Sequence, residues 1–120
     1  MAAAQPLAGH KVLLVEDDPL IAHQMVRALE ESGAVVVGPV GSVHGALALI
    51  GHSAPLDGAV LDINLNGEKV YPVTAVLADS GVPFVFATSC NRAEIPRRYA
   101  AVPCFGKLPD PQRVAQALFS

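Results

Sequence analysis

Three acidic residues in succession, Glu16-Asp17-Asp18, stand directly behind the apolar run Lys11-Val12-Leu13-Leu14-Val15. A further carboxylate, Asp62, lies at the end of the apolar run Gly58–Ile63, with Asn64 two positions on. Thr88-Ser89 close a third run, and Lys107, one of only 3 lysines, follows a fourth. Crowded carboxylates repel one another, and burying them is costly unless a cation compensates. A hard divalent ion resolves the conflict: Mg²⁺ takes one or two carboxylates and keeps several waters. Asp17 and Asp62 suit that role, with Glu16 holding a water. A carboxylate beside such an ion can act as a nucleophile toward phosphorus and form an aspartyl phosphate. A lysine would then neutralise phosphoryl oxygens and a hydroxyl would donate to one of them. Asp62, Lys107 and Thr88 match these three tasks.

Those residues need a scaffold that gathers the ends of several strands. Unbroken apolar, β-branched runs mark strands covered on both faces. Such runs occur at Lys11–Val15, Ala34–Val37, Gly58–Ile63, Val82–Ala87 and Val102–Phe105. Between them lie helical patterns. Asp18-Pro19 is a cap followed by a first-turn proline, and Ile21, Met25 and Leu29 recur at helical spacing up to Gly33. Ser42 caps a stretch with Val43, Leu47 and Ile50 on one face. Pro72 opens another, with Val73, Val76 and Leu77, and Asp110-Pro111 starts a last one with Val114 and Leu118. Asn66-Gly67 predicts a turn. Ala93–Ala101 is a poor helix because Pro96 sits within it. Alternating strands and helices, about five of each, predict an α/β fold: a five-stranded parallel sheet with helices on both faces, doubly wound in three layers. Ligands in such folds bind beyond the carboxyl ends of the strands, where strand order reverses. All the residues singled out lie there.

The chain has 120 residues, 52% of them apolar and 16% charged, which fits one folded domain and excludes a charged disordered tail. A net charge of −3 with no run of basic residues argues against nucleic acid as a partner. No apolar stretch is long enough for a membrane span. Residues 1–10 read as a flexible N-terminal tail ahead of the domain at 11–120, without the features of a signal peptide. Cys90 and Cys104 fit no zinc spacing, and both read as reduced thiols of a cytoplasmic protein. His10, His23, His44 and His52 share no metal-ligand spacing.

The stretches Val12–Asp18, Leu61-Asp62-Ile63-Asn64-Leu65, Phe86-Ala87-Thr88-Ser89 and Lys107 together resemble the response-regulator receiver domain of two-component signalling. The resemblance runs from about Lys11 to Leu118 and implies a flavodoxin-like fold. Asn64–Glu68, Val70–Val73 and Ala93–Pro96 look like a bacterial subgroup of stand-alone receivers. It further implies that Asp62 accepts a phosphoryl group from a histidine kinase or phosphotransfer protein, as in a phosphorelay. Mg²⁺ would be bound by Asp17, Asp62 and the backbone carbonyl of Asn64, with Glu16 reaching it through water. Thr88 and Lys107 would hold the phosphoryl group, while Asn64 and Cys90 would tune its lifetime. Phosphorylation would draw the loop from Thr88 to Asn91 inward and be read by a downstream protein at residues 91–101 and the last helix; a weak homodimer belongs to the same expectation. Two features depart from the family. Leu108 separates Lys107 from Pro109, which predicts a rearranged loop. Cys104 stands where an aromatic switch is usual, with Phe105 on the opposite face of the strand.

Other functions compete with a phosphorylation-controlled regulator that is not an enzyme. A small Mg²⁺-dependent phosphatase using an aspartyl phosphate would need a general acid two residues after Asp62, and Asn64 cannot supply a proton. A pseudo-receiver that never takes phosphate is the reading favoured by Leu108 alone. A flavin site would require backbone donors where the first loop has three carboxylates.

Overall fold

In the computed structural model, residues 5–52, 55–88 and 92–119 are described. The first apolar run forms β1 (Lys11–Val15), buried from Val12 onward. It feeds α1 (Pro19–Glu31), whose start is fixed by Asp18: its carboxylate accepts from the amides of Leu20 and Ile21 at 2.9 and 3.3 Å. Then follow β2 (Val35–Val40), α2 (Val43–His52), begun by the Ser42 hydroxyl accepting from the Gly45 amide at 3.0 Å, and β3 (Gly58–Leu61). A small hairpin, β4 (Asn64–Leu65) and β5 (Glu68–Lys69), precedes α3 (Tyr71–Asp79) and β6 (Phe84–Ala87). Two 3₁₀ turns, Arg92–Glu94 and Arg97–Tyr99, lead to β7 (Cys104–Phe105) and α4 (Pro111–Phe119).

The main sheet is parallel throughout, in the order β2-β1-β3-β6-β7. Strand order therefore reverses between β1 and β3, and their carboxyl ends deliver Asp17 and Asp62 side by side. Side chains alternate across the sheet into two cores. One face carries Leu13, Leu61 and Phe86 against Val43 and Ala46 of α2 and Val73 and Leu77 of α3. The other carries Val12, Leu14, Val60 and Val85 against Met25 and Leu29 of α1 and Val114 and Leu118 of α4. The five-stranded, doubly wound α/β fold is thus as the sequence predicts.

Differences are local and have physical causes. The expected fourth helix is replaced by the two 3₁₀ turns, as Pro96 dictates, so there are four α-helices among the described residues rather than five. Tyr99 from that connection is buried; its hydroxyl shares a 2.6 Å hydrogen bond with Thr74 and its ring stacks on Tyr71. Within the expected tail, Gln5–Gly9 forms a turn docked on the domain: Leu7 is fully buried and its amide donates to the Ser32 carbonyl at 2.9 Å. His10 stacks on Phe119 with ring centres 3.9 Å apart. Cys104 is disulfide-bonded, which corrects the expectation of a reduced thiol there. Cys90 lies outside the described residues, as do Ser89 and Asn91. No helix among the described residues is long and apolar enough to cross a membrane.

Candidate functional site

Asp62 follows β3 directly, and its amide continues the ladder by donating to the Val15 carbonyl at 2.8 Å. Its side chain is only 4% exposed and accepts hydrogen bonds on both oxygens. Thr88, at the end of β6, donates its hydroxyl to Oδ1 at 2.8 Å, and Lys107 donates from Nζ to Oδ2 at 3.0 Å. Lys107 also reaches both oxygens of Glu16, at 3.3 and 3.4 Å. The residues expected to act on a phosphoryl group thus converge on one carboxylate.

Leu108, between Lys107 and Pro109, takes a left-handed backbone conformation with φ of 59°. With this residue in place Lys107 keeps its reach to Asp62 and Glu16.

Glu16, Asp17 and Asp62 form the one group among the described residues with three carboxylates close enough to share an ion: an oxygen from each lies within 4.8 Å of the others. Hard oxygen donors from two strand ends fit Mg²⁺ chemistry. Burial pushes the Glu16 carboxyl above its ordinary value of 4.5; the Asp18 amide, donating at 3.0 Å, opposes this and the charge of Asp62 reinforces it. Burial alone would lower Lys107, but the hydrogen bond and charge of Asp62, followed by those of Glu16, outweigh it and hold the ammonium above 10.5. The lysine is therefore charged, and its charge is directed at the carboxylates.

Asp17 is held from a direction that the sequence did not reveal. The hairpin turn Asn66-Gly67, with φ of 52° and 88°, aims the Asn66 amide at Asp17 Oδ2, 2.9 Å away. Asn-Gly is the usual pair for a two-residue turn with both residues left-handed, so the turn was legible. The partner 49 positions earlier was not. In the same hairpin Asn64 lies opposite Lys69, which donates from Nζ to Asn64 Oδ1. An open cleft of about 510 Å³ joins Asp17, Asp62, Asn64, Thr88 and Lys107, with Glu94 on its rim. Of the expected site residues, only Cys90 lies outside the described residues. Cys104 and Phe105 point to opposite cores as expected, and the aromatic that fills the space beneath Phe86 is Tyr99, at 6.0 Å.

The chain matches no protein-family model, and no curated protein is similar to it by sequence. Solved structures do match. The solution structure of SdrG from Sphingomonas melonis Fr1 is 39% identical, with 94% of each chain covered and a TM-score of 0.78. The BeF₃-activated conformation of SdrG from Pseudomonas melonis Fr1 is 36% identical over 98% of this chain and 96% of that one, with a TM-score of 0.74. The response regulator PhyR from Brucella abortus is 29% identical with a TM-score of 0.75, and the chain spans 49% of its length.

Proposed function

The chain belongs to the response-regulator receiver family, and from that premise we propose that Asp62 is a phosphoacceptor loaded by a histidine kinase or phosphotransfer protein with the help of Mg²⁺. The observation that carries this reading is the convergence of Thr88, Lys107 and two further carboxylates on Asp62. In the transfer, an Asp62 carboxylate oxygen attacks phosphorus as the bond from phosphorus to the donor's imidazole nitrogen breaks, and that nitrogen keeps the electron pair. Mg²⁺ on Asp17, Asp62 and the Asn64 carbonyl, with Glu16 reaching it through water, would offset charge on the phosphoryl oxygens.

Lys107 and Thr88 would pass from the carboxylate oxygens to phosphoryl oxygens. Both already lie on Asp62, so a short shift suffices and electrostatic stabilisation comes from groups fixed in advance. The signal would leave through Thr88 and the following connection to Tyr99, read by a protein partner. The 36% identity to a chain solved in a BeF₃-activated conformation supports a switchable domain of this kind. With Asn64 two residues after Asp62, no proton donor stands where phosphatase turnover would need one, so we read the chain as a regulator rather than an enzyme. The geometry also weighs against a pseudo-receiver, because Lys107 keeps its contact despite Leu108.

Incubation with acetyl phosphate and Mg²⁺ followed by intact-mass measurement tests the proposal. One added phosphoryl group, absent in Asp62→Asn and without Mg²⁺, is the expected result. No uptake would overturn the reading, and continuous phosphate release would favour the phosphatase.

A further inference from the structure

We infer that Lys69 sets how long a phosphoryl group survives on Asp62, acting as a positioning residue through the side-chain amide of Asn64. The inference rests on the phosphoacceptor reading of Asp62 and adds a residue to it. Three observations carry it. The antiparallel register of the hairpin places Lys69 directly opposite Asn64, so the two side chains share a face. Lys69 Nζ donates to Asn64 Oδ1. Both side chains line a recess with Thr88 and Glu94, and Asn64 also borders the cleft that contains Asp62.

The chemistry follows from donor and acceptor types. An ammonium has three donors and no acceptor, so the amide must turn its carbonyl oxygen to Lys69 and leave its NH₂ as the free end. Loss of the phosphoryl group is a hydrolysis. A water oxygen attacks phosphorus, the bond from phosphorus to Asp62 breaks, the carboxylate leaves with the electron pair, and the water's protons pass to phosphate and solvent. That water is best oriented by an acceptor. Asn64 Oδ1, two residues from Asp62, is the acceptor that the hairpin holds toward Lys69. A free amide could rotate and offer it to that water; an amide held by Lys69 keeps this oxygen turned to the ammonium and presents its NH₂ as the free end. Lys69 therefore protects the acyl phosphate.

The test is a double-mutant cycle on the full chain. The parent, Lys69→Met, Asn64→Ala and the double variant are loaded with acetyl phosphate and Mg²⁺, the reagent is removed, and the decay of the phosphorylated mass is followed. Lys69→Met should shorten the lifetime about fivefold, the scale of one modest hydrogen bond. Lys69→Arg should restore it, and in the Asn64→Ala background Lys69→Met should have no effect. Equal lifetimes for the parent and Lys69→Met, or the same shortening with and without Asn64, would overturn the inference while leaving Asp62 as phosphoacceptor. Failure of the parent to take up phosphate would overturn both. Unfolding midpoints in urea identify any variant whose fold is damaged, and if Lys69→Met is so damaged, Lys69→Leu, which also lacks a donor, replaces it with the same expected outcomes.

Discussion

Asp62 is hydrogen-bonded on both oxygens and neighbours two more carboxylates, so each charge in the cleft is felt by the others. Glu16 records the strain most clearly. Its folded pKa lies above 4.5 because burial penalises the charged form. The stability linked to its protonated form is complete below 4.5 and is lost as pH rises through the folded value. Glu16→Gln cannot lose a proton, so it should gain on the parent as pH rises and show no advantage in acid. Urea unfolding at several pH values would measure this; a constant difference would be contrary to it. At this scale the sequence was highly legible. Carboxylates at the ends of β1 and β3, a hydroxyl after β6 and a lysine after β7 could be placed because parallel topology brings strand ends together. The contacts of Asn66 and Lys69 could not be read, since they depend on where a two-residue turn points in space.

At the scale of elements, two short connections depart from regular structure. Leu108 is 48% exposed and left-handed, a conformation costing an L-residue about 1–2 kcal/mol. Leu108→Asn should be neutral or stabilising, whereas Leu108→Val, with its branched Cβ, should cost about 1–2 kcal/mol. Chemical denaturation of the pair decides this, and equal stability of the two variants would contradict it. The connection after β6 is held by Tyr99 and its hydrogen bond to Thr74, which also donates to the Tyr71 carbonyl at 2.9 Å. Thr74→Val removes both contacts and takes from the buried tyrosine hydroxyl one of its two hydrogen-bonding neighbours, Arg98 being the other, so a loss of about 1–2 kcal/mol is expected by the same measurement. Neither arrangement was legible in full. Pro96 excluded a regular helix, but nothing in the pattern of Val73, Val76 and Leu77 marked Thr74 as more buried than Val76, which is 36% exposed while Thr74 is 0%.

For the whole molecule, the carboxylate cluster would couple ion binding to folding, since the unfolded chain does not hold Glu16, Asp17 and Asp62 together. Mg²⁺ at ten times its dissociation constant should therefore add about 1.4 kcal/mol to the unfolding free energy. Asp17→Asn should abolish most of that increment, and an undiminished response in this variant would relocate the ion. The overall architecture followed from alternation alone: apolar runs, helical spacing and caps prescribed the five parallel strands. Leu7 was the exception, an isolated apolar residue among small ones that no periodicity could assign to the core.

The stacking of His10 on Phe119 has a bearing on connectivity. β1 starts where α4 finishes, and both lie at the amino edge of the sheet, away from the cleft at the carboxyl edge. The order of the elements along the chain is therefore not dictated by their arrangement in space. A short linker replacing residues 120 and 1–4 would close the polypeptide into a ring without crossing the cleft. Reopening that ring at the exposed turn around Gly81, with φ of 72°, would give a circular permutant in which β1 and α4 become internal and Asp17, Asp62, Thr88 and Lys107 keep their neighbours.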